Sequence, residues 1–102
     1  MKHIWTTAAL ALAATAAGAQ TQDALYIKSL AATCANCHGT DGRAVNGSAV
    51  PAIAGMPRDY IATQLKAFKS GTRPATVMHQ LAKGYSDAQI EQIATYFAAQ
   101  KK

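Results

Sequence analysis

Charge is scarce in this sequence: 15% of its 102 residues are Asp, Glu, Lys or Arg. Aromatic side chains are scarcer, at 7%, and there are only two cysteines and three prolines. So short a chain excludes a multidomain enzyme. Half of it is hydrophobic, and that much apolar content with so little charge excludes an intrinsically disordered chain. Acids are the minority charge, five Asp and Glu against ten Lys and Arg, for a net charge of +5. No paired carboxylates lie near the cysteines, and no Ser, His and Asp set suggests a hydrolase. Beyond the N-terminal segment there is no second long apolar run that could span a membrane in the mature chain.

The N-terminal segment reads as an address. Met1-Lys2-His3 is a short positive start, Ile4 to Ala16 is apolar or small, and Ala17-Gly18-Ala19 is an A-x-A cleavage signal. This is the pattern of a secretory signal peptide at residues 1–19, with one domain at 20–102. An uncleaved membrane anchor is the rival, but the run is shorter than the ~20 residues that a spanning helix needs. Export places the mature chain in the periplasm, where two thiols do not usually stay free. A small domain with few large apolar residues also needs a staple: a disulfide, a metal or another group.

The mature sequence predicts an all-α fold with three helices. The first runs from about Asp23 to Cys34, with Leu25 on a loose apolar stripe and Ile27, Leu30, Ala31 and Cys34 at i, i+3, i+4, i+7. Gly39 to Gly55 reads as an extended loop. Pro57 suits the first position of a second helix carrying Ile61, Leu65 and Phe68, which Gly71 ends and Pro74 keeps from continuing. Ser86-Asp87-Ala88-Gln89 is a capping box for the last helix. Its apolar face is Ile90, Ile93, Ala94 and Phe97, and its end is Lys101-Lys102, a charge that suits the negative end of the dipole.

Cys34-Ala35-Asn36-Cys37-His38 is C-x-x-C-H, the attachment motif for c-type haem. Residues i and i+3 at a helix end point the same way, so each thiol can add to one haem vinyl group. His38 then follows directly, with an imidazole able to coordinate the iron. A redox disulfide would call for a βαβ context, which is absent. A zinc site would lack ligands, since after cleavage His79 is the other histidine and there is no second C-x-x-C. One motif predicts one covalent haem c.

With this motif, the chain resembles the class I c-type cytochromes. Gly39-Thr40-Asp41-Gly42, Pro51-Ala52-Ile53-Ala54-Gly55 and Tyr96-Phe97 sit where that family has them. The resemblance implies a small helical wrap around the haem, with N- and C-terminal helices that cross. It also implies that the Pro51 carbonyl accepts a hydrogen bond from the non-ligating nitrogen of His38, which would fix that ring's tautomer and orientation.

A sixth ligand separates an electron carrier from a gas binder or catalyst. Met56, Met78 and His79 are the choices. Met56 follows His38 closely and precedes a helix, so its chain must still round the haem edge. Met78 comes after a complete helix and a turn, and the class I pattern puts its methionine ligand in that stretch. Met78 is therefore favoured with Met56 as alternative, and His79 is expected at the surface. Lys66, Lys69, Arg73 and Lys83 flank the Met78 segment and Arg43 follows the motif. Together they suggest a cationic rim that steers an acidic partner, although Arg73 could instead pair with a haem propionate. No nucleic-acid motif is present.

Phe68-Lys69-Ser70-Gly71, Ala75-Thr76-Val77-Met78 and Ala82-Lys83-Gly84-Tyr85-Ser86 resemble the cytochrome subunit of flavocytochrome c sulfide dehydrogenase. The implied partner is a flavoprotein that oxidises sulfide. The resemblance to free c4, c5 and c553 carriers implies instead a diffusible carrier to a terminal oxidase. A haem catalyst or sensor with an open sixth site is a third reading.

Overall fold

In the computed structural model, residues 22–102 are described; the expected signal peptide at 1–19 lies outside them. Helix α1 occupies residues 22–38, then a short 3-10 turn Thr40–Gly42, α2 Arg58–Ser70, α3 Met78–Lys83 and α4 Asp87–Ala98. The all-α architecture is the one predicted, and among the described residues there is no strand.

Three helix bounds and one whole helix differ from the sequence reading. Helix α1 does not stop at Cys34 but runs through the whole C-x-x-C-H motif, because no helix breaker occurs before Gly39. Gly39 ends it: its N–H reaches Ala35 O at 2.9 Å and its φ is 86°. A Cβ there would lie 2.1 Å from Arg43 O, so only glycine fits. Helix α4 ends at Ala98, short of Lys101-Lys102. The Lys101 carbonyl instead accepts a hydrogen bond from Arg43 Nε at 2.8 Å. Helix α3 was not foreseen. It has six residues and no side-chain cap, too short for a hydrophobic period to show and without the signals that mark a start. Pro57 takes the N-cap position of α2, one residue before the helix proper.

The capping box of α4 forms in both directions, Gln89 N–H to Ser86 Oγ at 3.1 Å and Ser86 N–H to Gln89 Oε1 at 2.9 Å. The face of α4 that it presents, Ile90, Ile93, Ala94 and Phe97, is buried against Ala31 of α1 and Ile61 and Ala62 of α2. Tyr26 of α1 also accepts a hydrogen bond from Gln89. Leu25, by contrast, is 60% exposed and adds nothing to the stripe. Gly42 has a φ of 79°, and a Cβ there would meet Ile53 and Phe97 side chains at 2.8 Å. Its carbonyl accepts from Ile53 and Ala54 N–H, and Gly55 N–H bonds to Phe97 O at 2.9 Å. The long loop is thereby stitched to the end of α4. Among the described residues, five of the nine buried apolar ones are alanine, so this core is thin.

The polar seam between α2 and α4 is ionic. Lys66 Nζ lies 2.6 Å from Glu91 Oε1, Arg58 reaches the other oxygen of Glu91, and Lys69 Nζ lies 3.2 Å from Asp87. The hydrogen bond from Lys66, with the nearby Lys66 and Arg58 charges, holds the Glu91 carboxyl below the usual glutamate range. A depressed carboxyl contributes stability above its unfolded value, ~4.3, and loses it as pH falls through the lower folded value. Glu91→Gln should therefore melt below the wild type at neutral pH. The gap should close as pH is lowered past about 4, and a gap that acid leaves unchanged would contradict this.

Candidate haem site

A cavity of about 610 Å³ opens between α1, the long loop, α2 and α3. Its size falls within the ~300–1,000 Å³ of sites that hold small molecules and cofactors. Cys34, Cys37, His38, Pro51, Arg73 and Met78 all line it. The six site residues read from the sequence are thus brought to one place. Most of the remaining wall is apolar, with Ile53, Ile61, Leu65 and Phe97 at the inner side. Tyr60, Val77 and Leu81, each about half exposed, stand on the wall as well.

The helical geometry of α1 explains the arrangement of the motif. Cys34 and Cys37 lie one turn apart near its end and both face the cavity. Cys34 is half-buried and Cys37 exposed, and the two are not joined to each other. Burial pushes the Cys34 thiol above its ordinary pKa, against a smaller opposite effect from the Thr33 hydroxyl. His38 is the last residue of the helix, and its Nδ1 donates to Pro51 O at 2.7 Å. That bond leaves Nε2 as the nitrogen with a free lone pair. An apolar cavity, two unjoined thiols one turn apart and an imidazole held in a defined tautomer fit a covalently attached haem. Among the described residues, no group of three or more His, Cys, Asp or Glu side chains converges as a simple metal site would need.

Two methionines face this cavity, Met56 and Met78. Met56 also packs against the buried core, whereas Met78 does not. His79 is not at the surface as expected. It is half-buried outside the cavity lining, and its Nδ1 is buried without a partner. Placed on the second position of α3, it turns away from the side on which Met78 faces the cavity.

The cationic rim is smaller than the sequence suggested. Lys66 and Lys69 are committed to Glu91 and Asp87, and Arg43 to Asp41. For Lys66 and Lys69 the acids that claim them are distant in sequence, which spacing alone cannot reveal. Arg73 and Lys83 take part in no ion pair among the described residues. Arg73 is held in place, its guanidinium 4.6 Å from the Phe68 ring centroid and hydrogen-bonded to Gln64 Oε1. Gln64 and Tyr60 also line the cavity. The sequence reading did not single them out, and the helical spacing of i and i+4 on α2 is the one signal that could have paired them.

Behind the site, Tyr96 donates a hydrogen bond to Asp41. This bond holds the Asp41 carboxyl below the ordinary aspartate range and pushes the Tyr96 phenol above its own. Tyr96 and Phe97 meet edge to face at 5.4 Å between centroids. The motif turn is tied in this way to the last helix.

Comparison with known proteins identifies the family. A sequence profile of the family described as Cytochrome c matches residues 24–101. The cytochrome subunit of sulfide dehydrogenase from Chlorobaculum tepidum is 48% identical over 68 residues, covering 67% of this chain and 60% of that protein. The thiosulfate dehydrogenase electron acceptor of Thiomonas intermedia is 41% identical over 71 residues, 70% of this chain and 33% of the relative. The chain therefore spans between a third and three fifths of the length of these two relatives. Among solved structures, cytochrome c4 of Acidithiobacillus ferrooxidans superposes with a TM-score of 0.60 at 39% identity, covering 65% of this chain and 37% of that one. The chain belongs to the cytochrome c family of electron-transfer proteins, which carry covalently bound haem c.

Proposed function

We propose that the chain is an exported one-electron carrier that serves as the cytochrome subunit, or dedicated acceptor, of a sulfide-oxidising flavoprotein. The observation that carries this reading is the convergence of Cys34, Cys37, His38 and Met78 on one apolar cavity. The 48% identity to the cytochrome subunit of a sulfide dehydrogenase supplies the partner class.

When bound, the haem supplies a reversible one-electron exchange at its iron, and Met/His ligation raises its potential. Cys34 and Cys37 anchor it through their sulfurs. His38 presents Nε2, and the Pro51 carbonyl keeps the ring from turning. Met78 presents its thioether from α3, since Met56 is already engaged in core packing. Arg73, fixed by Phe68 and Gln64, offers its free N–H groups to a propionate carboxylate. The apolar walls exclude water. No proton donor or acceptor is required, because outer-sphere electron transfer breaks no bond.

Val77 and Leu81, 54% and 49% exposed beside the cavity, offer a partner an apolar contact. With Lys66, Lys69 and Arg43 already paired, Arg73 and Lys83 are what remains of the expected rim for long-range steering. A stable subunit interface suits such a surface better than a salt-sensitive encounter. The likeness to cytochrome c4 supports a second reading, a diffusible carrier.

Co-expression with a sulfide-oxidising flavoprotein, followed by gel filtration, separates the two. A single red and yellow peak whose haem is reduced on adding sulfide, at a rate that salt hardly changes, is the expected result. Haem that elutes alone, and stays oxidised with sulfide and catalytic flavoprotein, would leave the diffusible carrier as the better account.

A further inference from the structure

Beside the attachment turn, two side chains from distant parts of the sequence meet. Thr33 immediately precedes Cys34, and Tyr85 lies between α3 and the Ser86 cap of α4. Their hydroxyls are hydrogen-bonded. Thr33 has a single hydroxyl hydrogen, and it is donated to Leu30 O at 2.7 Å. The phenol of Tyr85 must therefore be the donor and Thr33 Oγ1 the acceptor. The Tyr85 ring packs on the buried core, and its backbone N–H closes the end of α3 on Ala82 O at 3.2 Å. One residue thus holds the C-terminal end of α3, the helix that begins with Met78, against the end of α1 that carries Cys34, Cys37 and His38.

No other side-chain hydrogen bond or ion pair joins α1 to the segment from α3 to Tyr85 among the described residues. Helix α3 is only six residues long and has no side-chain cap at its start. Its position therefore depends on its packing against α2, where Ala82 is buried, and on what its ends are tied to. We infer that Tyr85 is a positioning residue: its hydrogen bond to Thr33 clasps α3 to the attachment turn and keeps the Met78 thioether over the sixth iron position. This inference rests on the reading of Met78 as the distal ligand. Tyr85 does not line the cavity and acts through the helix that it anchors.

The test is the rate at which carbon monoxide binds the reduced holoprotein, which reports how often the sixth position opens, together with the melting temperature. Tyr85→Phe keeps the ring and removes the hydroxyl. It should speed carbon monoxide binding about fivefold, the weight of one neutral hydrogen bond. Thr33→Val should do the same, the double variant should be no faster than either single variant, and Thr33→Ser should behave as wild type. A lowered melting temperature with unchanged binding rates would make the bond merely structural and overturn the inference. So would additive effects, or an effect of Tyr85→Phe that Thr33→Val does not share. Met78→Ala in the same series isolates the premise. If it fails to open the site, the ligand reading falls and the clasp with it. If it opens the site while Tyr85→Phe matches wild type, the clasp alone is wrong.

Discussion

Replacing Cys34 and Cys37 together with alanine is expected to leave a chain that holds no haem in acidified organic solvent and does not accumulate as folded protein. The reason lies in the core. Among the described residues, five of the nine buried apolar ones are alanine, and a large apolar-walled cavity opens beside them. Left empty, an apolar cavity of about 610 Å³ exposes its walls to water and lacks the contacts that an occupant would supply. A small domain has only ~5–15 kcal/mol of stability in all, so cofactor attachment and folding should be coupled. Circular dichroism of the double variant should show lost helix, and the wild type should keep its colour with the protein after solvent extraction. Haem that leaves the wild-type protein in acidified solvent would refute covalent attachment through these thiols.

Met78→Ala should have the next largest effect. The residue starts α3 and faces the cavity while taking no part in the core, so its removal should open the sixth position and leave the fold intact. The reduced protein should bind carbon monoxide readily, lose its low-spin spectrum and show a lower reduction potential, because thioether ligation favours the ferrous state. Met56→Ala should do the reverse. Met56 packs on the core, and its loss should cost stability, toward the lower end of roughly 2–5 kcal/mol, without exposing the iron. If Met56→Ala opens the site and Met78→Ala does not, the ligand assignment is exchanged.

Much of the site was legible because its residues are neighbours in sequence. C-x-x-C-H is five consecutive residues on one helix end, and α-helical geometry alone turns both thiols to one side. The last helix was legible for a similar reason. A capping box and an i, i+3, i+4, i+7 stripe are local signals, and both proved to be structural. The charges were misjudged because pairing is not local. Lys66 and Glu91 are on different helices, as are Lys69 and Asp87, so two of the five cations expected in a docking rim belong to an ionic seam between helices. His79 was misjudged likewise: its burial depends on where α3 lies, and no period in six residues shows that.

By itself, the sequence determined the helical class, the order of the main helices and the attachment chemistry, since each is written in residues within one or two helical turns of one another. Only the tertiary structure decided which histidine nitrogen is free, which methionine packs on the core, which cations are unpaired and that Tyr85 reaches Thr33. Each of those depends on a contact between segments far apart in the chain. Hydrogen bonds and ion pairs have short reach, so such contacts exist only once the hydrophobic faces of α1, α2 and α4 have packed and fixed where every loop must run.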